Sequence, residues 1–338
     1  MDLNIIWFLL IAVLIGGYAM LDGFDFGVGI LHLFTKDENE KRININAIAP
    51  VWDGNEVWLL TGGGALFAAF PIVYATVFSG FYLALMLLLV ALIARAVSME
   101  FRGKVDSPAW RKVWDWCFGL GSLLPAVLFG VAIGNILRGI PINSEGMFTG
   151  SFLGLLNPYS VLIGVLSAVL FTMHGGIFLL LKSESEQKER IKNLLPKLWV
   201  AYVVIYLLAT LYSIFEAKFL FAGVLGNPLF FVLLLILLAS IVYIPVGVKT
   251  EKYGRAFIAS SAAVLMMVGL IAVSLFPRLV PSITDLNNSL TIYNASSTPR
   301  TLETMLYIAL IGMPLVIGYT IFIYRVFKGK VVLNHDSY

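Results

Sequence analysis

The sequence predicts an all-α, polytopic membrane protein of about nine transmembrane helices, with its N-terminus outside and its C-terminus in the cytoplasm. Three observations carry this reading. The first is composition: 59% of the 338 residues are hydrophobic and only 13% are charged, with a mean hydropathy of +0.91. A soluble domain carries about 25% charged residues, so a water-soluble or disordered chain is excluded. The second is a series of nine apolar runs, each near the roughly 20 residues needed to cross about 30 Å of hydrocarbon. The third is the basic residues, which crowd into alternate connections between those runs.

The runs, in order, are 5–31, 49–71, 75–100, 116–138, 157–181, 198–217, 228–248, 256–276 and 303–327. Each is expected to be helical, because an exposed strand edge in lipid leaves backbone groups unpaired. The opening stretch has no basic segment and no small-residue cleavage pattern, so it reads as a retained span. One alternate set of connections, with the C-terminal tail, holds 18 of the 23 Lys and Arg residues. The other set holds Arg138, Lys218, Arg278 and Arg300, and Arg95 lies within a span. Basic residues stay on the cytoplasmic side, which fixes the orientation. The charged stretch 182–197 is expected to be a solvated cytoplasmic linker between a first half, 1–181 with spans 1–5, and a second half, 198–338 with spans 6–9. The outer stretch 277–302, rich in Ser, Thr, Asn and Pro, reads either as ordered turns and a lid or as a plain connector.

The net charge of +3 is too small to point to nucleic acid. The single cysteine, Cys117, permits no internal disulfide, thiolate cage or iron–sulfur cluster. Of His32, His174 and His335, only His174 falls inside an apolar run. No second axial candidate accompanies it, so it reads as a hydrogen-bonded core histidine, and no haem, metal or other cofactor is expected on this chain alone.

Ionisable residues inside the runs are costly in a bilayer and therefore demand an explanation. Asp22 and Asp25 are three apart on span 1 and share a helix face. Asp22 is expected about 15 Å from the cytoplasmic edge. Asp53 and Glu56 repeat the spacing at the start of span 2, at roughly 7–12 Å. A short loop joins the two spans, so the four carboxyls can converge in the inner half. Each group also has a plainer reading. Asp22 and Asp25 could be protonated or capped by a partner, and Asp53 could cap its helix. Arg95 could reach the cytoplasm or pair with an acid of span 1 or 2. Trp52 sits beside Asp53 and could line a path, whereas Trp110, Trp114 and Trp116 fit an interfacial belt. The GxxxG pairs Gly23/Gly27 and Gly130/Gly134 fit close helix packing.

Four blocks give the chain a family resemblance. LDGFDFGVGIL (21–31), IAPVWDGNEVWLLTGGGALFAAFP (48–71), WDWCFGLGSLLPAVLFGVAIGN (114–135) and NNSLTIYNASS (287–297) resemble subunit II of cytochrome bd quinol oxidase over essentially the whole length. The resemblance implies two four-helix bundles plus one peripheral helix, in a bacterial cytoplasmic membrane. It implies a partner, subunit I, that carries haem b558, haem b595 and haem d and the quinol site. A small single-span accessory chain and a structural quinone or lipid are further components it admits. It implies a complex that oxidises quinol and reduces O₂ to water, and a proton path from the cytoplasm through Asp22, Trp52 and Asp53. Asp25 shares the motif, and Glu56 joins the set by its spacing to Asp53. Two other classes compete on the residues alone. A self-contained proton- or cation-coupled transporter would use the same acids but predicts broken helices meeting near the midplane, and none is visible. A purely structural scaffold leaves the acids unexplained.

Overall fold

The structure is a computed structural model and describes residues 2–333, so His335 lies outside the described residues. The helices are α1 (Leu3–His32), α2 (Glu38–Ile48), α3 (Trp52–Ala69), α4 (Pro71–Gly80), α5 (Tyr82–Phe101), α6 (Pro108–Arg138), the single turn α7 (Phe152–Leu155), α8 (Pro158–Lys182), α9 (Ser185–Glu216), α10 (Pro228–Lys249), α11 (Tyr253–Leu275) and α12 (Pro299–Val326). A two-stranded antiparallel hairpin, β1 (Arg278–Val280) and β2 (Leu290–Thr291), lies between α11 and α12.

Helices α1 and α8 form the centre. Every residue of α1 from Leu21 to His32 is buried, as is every residue of α8 from Leu170 to Leu180. A helix buried on all sides needs small residues wherever another backbone passes. Gly27 of α1 and Gly175 of α8 meet in this way: a Cβ on Gly27 would run into the Phe171 carbonyl, and one on Gly175 into the Gly27 backbone. The second GxxxG pair acts likewise, with Gly130 against Gly164 and Gly134 against Ser160. Around this seam α1, α3, α5 and α6 make one four-helix bundle, and α8, α9, α10 and α11 make the other. α12 packs chiefly against α1 and α3 and buries little of itself, so it is the peripheral helix.

Eight helices among the described residues are long and apolar enough to cross a membrane, namely α1, α5, α6 and α8–α12. The remaining expected span, the second at 49–71, is helical as α3, but its first turns carry Asp53, Asn55 and Glu56 and dilute its hydropathy. The third run, 75–100, is not one helix. The chain breaks at Phe70 and again at Phe81, which sets the short α4 apart from α5. The fourth span begins at Pro108, capped by the Ser107 hydroxyl, eight residues before the expected start of 116.

The stretch 182–197 is not a linker. α8 runs to Lys182 and α9 starts at Ser185, so most of the charged run is the first turns of a 32-residue helix. Those turns are amphipathic: Gln187, Ile191 and Leu195 are buried while their neighbours are solvated. The connection between spans 1 and 2 is likewise a helix, α2, begun by the Asp37 side chain, which accepts from the Glu40 N–H. Its apolar side buries Ile45 and Ile48 completely. The stretch 277–302 is ordered. Its hairpin packs Val280, Leu290, Ile292 and Ala295 into a second apolar core with Trp7, Phe70 and Ile140 at the non-basic end of the bundle.

Candidate functional site

The site is built where α1, α3 and α5 meet. α3 runs antiparallel to α1, with Asn55 against Leu21 and Asp25, Trp58 against Gly17, and Gly62 against Leu14. α5 brings Arg95 to the same level from the other side, made possible by Gly121 of α6, where a Cβ would meet the Arg95 backbone.

Asp22 is fully buried and receives both ends of the Arg95 guanidinium, Nη1 to Oδ2 at 3.0 Å and Nη2 to Oδ1 at 2.5 Å. Arg95 is 1% exposed, and its guanidinium lies 4.5 Å from the centre of the Phe26 ring. Two-point contact uses both carboxylate oxygens and fixes the plane of each group. Arg95 therefore pairs with the span 1 acid and does not snorkel to the cytoplasm.

Asp25, one turn further along α1, is also fully buried, but its surroundings differ. The Asn55 amide donates to Asp25 Oδ2 at 2.7 Å and to the Leu21 carbonyl at 3.1 Å, and the Tyr324 hydroxyl of α12 donates to Asn55 Oδ1 at 3.0 Å. Among the described residues the other oxygen, Asp25 Oδ1, has no hydrogen-bond partner, nor do the nearby Tyr18 hydroxyl and Arg95 Nε. Asn55 and Tyr324 were not anticipated. Asn55 sits inside the noticed WDGNE block and could have been found there, whereas nothing local marks Tyr324.

The two acids of α3 are placed outside this buried core. Glu56 is half-buried and within electrostatic reach of Asp22, Arg95 and Asp53. Asp53 is exposed on an outward stripe with Val57, Leu60, Gly64 and Phe67, and it does not cap α3 through its side chain, whose N-cap is Val51. Trp52 is half-buried at the edge of the main core. Asp22, Asp25, Glu56 and Arg95 thus converge, while Asp53 faces sideways out of the bundle, level with about residue 24 of α1 by the helix register.

His174 has both ring nitrogens engaged, Nδ1 with the Ser260 hydroxyl at 2.7 Å and Nε2 with the Met20 carbonyl at 3.0 Å, and it stacks on Phe257 at 4.9 Å. A ring so held has no nitrogen left for iron, so its residues do not fit haem ligation. His32, left aside because it falls at the end of a run, is buried in the last turn of α1. It contacts Asp115, which also takes Lys41 and Arg102, and Arg102 reaches Glu38 at 2.9 Å. This second polar cluster ties α1, α2, α5 and α6 together at the basic end. Among the described residues no group of three or more His, Cys, Asp or Glu side chains is placed to hold a metal ion.

Residues 3–327 match the family described as cytochrome bd terminal oxidase subunit II. The chain is 39% identical to the cytochrome bd ubiquinol oxidase subunit 2 of Bacillus subtilis over 332 residues, which cover 98% of this chain and 97% of that one. It is 34% identical to the cytochrome bd-I ubiquinol oxidase subunit 2 of Escherichia coli, over 97% and 95% of the two chains. A chain in the structure of bd oxidase from Geobacillus thermodenitrificans shares the fold, with a TM-score of 0.81 and 18% identity over 97% of this chain and 99% of that one. Over nearly its whole length, and with an all-helical membrane fold to match, this chain belongs to the cytochrome bd terminal oxidase subunit II family and is a multi-pass membrane subunit of an oxidoreductase complex.

Proposed function

We propose that this subunit supplies part of the cytoplasmic proton-uptake path of a quinol-oxidising, O₂-reducing complex, and the surface against which the haem-bearing subunit I packs. The haems b558, b595 and d, when bound in that partner, carry the electrons from quinol to O₂. This chain's part is to hold and pass protons. The observation that carries the reading is the graded exposure of one set of carboxyls. Asp53 lies on the lateral surface, Glu56 is half-buried, and Asp25 is fully buried with an oxygen that receives no hydrogen bond from any described residue. Such a series could accept a proton at the surface and release it inside. Buried polar atoms without partners, as on Asp25, Tyr18 and Arg95, also favour water over dry packing at this site.

The two α1 acids divide the work. Asp22 has both oxygens taken by Arg95 and serves as the fixed counter-charge. Asp25 keeps one oxygen free, and Asn55 and Tyr324 hold it in place, so it is the carrier. Asp53 explains where the partner sits. A carboxylate facing hydrocarbon at that depth would cost several kcal/mol. Its neighbours Val57, Leu60 and Phe67 are exposed apolar side chains, as an interface requires. Subunit I covering this stripe of α3 would shield both. A quinone or lipid held at the same seam and a small accessory chain are compatible additions.

The test is made on the whole complex, with Asp25→Asn, Asp53→Asn and Asp22→Asn compared by quinol-driven O₂ uptake. The visible haem spectrum serves as the measure of assembly. Asp25→Asn and Asp53→Asn are expected to slow turnover on the order of 100-fold at normal haem content. Full turnover with an unchanged pH profile would remove that residue from the path.

A further inference from the structure

A cavity of about 500 Å³ opens at the basic end of the bundle, apart from the carboxyl site. One wall is a single face of α6, from Pro108 through Arg111, Lys112 and Asp115 to Trp116. The facing wall is the end of α1, with His32 and Leu33, and α2, with Glu38 and Lys41. The acids of both walls are already paired. Asp115 takes His32, Lys41 at 2.6 Å and Arg102 at 2.6 Å, and Glu38 takes Arg102 at 2.9 Å. Arg111 shares the exposed Asp106 at 2.6 Å, and Lys112 makes no ion pair among the described residues. The lining carries three cations, Lys41, Arg111 and Lys112, against two carboxylates, Glu38 and Asp115, before His32 is counted, so its net charge is positive. His32 is 1% exposed and gives one ring nitrogen to Asp115, while its Nδ1 is buried without a partner.

The cavity continues into an apolar track. Trp116, Leu120 and Leu124 follow Lys112 at steps of four residues and are all exposed, as is Val113 beside them. A step of four keeps them on one side of α6, running about 12 Å from Trp116 toward the membrane interior. A cationic cleft at the cytoplasmic edge, leading to an exposed apolar stripe in the hydrocarbon, matches a molecule with an anionic head and an acyl tail.

We propose that this cavity is a binding site for an anionic glycerophospholipid. Its phosphate lies between Lys112, Arg111 and Lys41, and one acyl chain lies along Trp116, Leu120 and Leu124. The lipid would fasten α1, α2 and α6 together at the membrane edge. No covalent step is involved, and the site is independent of the proton path.

The experiment uses the complete complex, stripped of lipid in detergent. It is titrated with phosphatidylglycerol, with phosphatidylcholine and with inorganic phosphate, and bound lipid is counted by native mass spectrometry. Phosphatidylglycerol is expected to bind in preference to phosphatidylcholine, and the double variant Arg111→Gln/Lys112→Ala to bind it roughly 30-fold more weakly, the effect of two basic groups at a membrane surface. Equal affinity in the variant overturns the proposal. Displacement of phosphatidylglycerol by submillimolar inorganic phosphate also overturns it, because the cleft would then be a site for free anions. Should the variant fail to assemble, the unaltered complex is labelled with phosphatidylglycerol carrying a photoreactive acyl chain. Labelling within 113–124 is expected, and labelling confined to other segments overturns the proposal.

Discussion

Replacing Arg95 by leucine removes one half of the buried ion pair and leaves the other half in place. Asp22 then has two oxygens with no donor, in a position that is 0% exposed. The pair's separation of 2.5–3.0 Å gives its scale. Unit charges about 3 Å apart interact by about 5–6 kcal/mol at an effective dielectric of about 20. Breaking one side of a buried pair costs about 3–5 kcal/mol in practice, because the survivor stays desolvated. Removing both sides together, as Asp22→Leu/Arg95→Leu, takes away the charge and its partner and is expected to cost far less, or to stabilise. The assay is survival of the intact complex after graded heating in detergent, followed by size-exclusion chromatography with haem absorbance. The expected order of midpoints is the unaltered complex and the double variant together, with Arg95→Leu well below both. Asp22→Asn, which keeps an acceptor oxygen for the guanidinium, falls between. A double variant as labile as Arg95→Leu would refute the electrostatic reasoning. It would mean that Arg95 matters through its packing on Phe26 and against Gly121.

Gly27→Ala is expected to destabilise the complex by about 1–3 kcal/mol, since its Cβ meets the Phe171 carbonyl with no room to shift, whereas Gly63→Ala faces open space and should be neutral or better; thermal midpoints of the two variants check this. His174→Ala should leave every haem band of the complex in place, because its nitrogens serve Ser260 and Met20; loss of a band in the reduced-minus-oxidised spectrum would show it to be a ligand. Glu251 holds a left-handed backbone conformation at φ 57°, so Glu251→Gly should raise the thermal midpoint. Its carboxyl is held below the usual range by Lys192, 2.6 Å away. That pair's contribution is present above the carboxylate range and fades as pH falls through it. The pair is exposed, so Glu251→Gln should leave the midpoint unchanged in 0.15 M salt, where such pairs count for little.

Much of the fold was legible because a bilayer makes hydropathy an almost literal record of the helices. Each of the nine apolar runs contains a helix, and the glycine pairs noted as packing motifs do sit at close contacts, Gly27, Gly130 and Gly134 against a crossing backbone and Gly23 against the Phe171 ring. The errors fell where hydropathy is mute. Residues 182–197 read as a linker because charge marks solvation, but charge on one face of an amphipathic helix is also solvation. Buried Ile191 and Leu195, four apart, were the available signal. The same holds for α2, whose apolar side is short. The break between α4 and α5 at Phe81 has no breaker residue other than Gly80, which Phe148, distant in sequence, crowds. That is a tertiary cause no local pattern carries.

The acids show the limit more sharply. Asp22 and Asp25, and Asp53 and Glu56, have the same i,i+3 spacing, and spacing says only that two side chains share a face. What that face meets depends on where the helix stands. α1 is enclosed on all sides from Leu21 onward, so its acids are driven into contact with whatever cation is available, and Arg95 of α5 is there. α3 stands at the rim, so the same spacing leaves Asp53 pointing outward and Glu56 at the margin. Within one face of α1 a single turn separates a carboxylate locked by two guanidinium contacts from one held by an amide with an oxygen to spare. The first arrangement fixes charge and the second leaves an oxygen for a proton, which is the basis for proposing the one as anchor and the other as carrier. The rim position of Asp53 follows from the same logic. If the proposed path begins on the lateral face of this chain, it would be closed only when subunit I lies against it, and assembly of the two subunits would then be a condition for proton delivery as well as for stability.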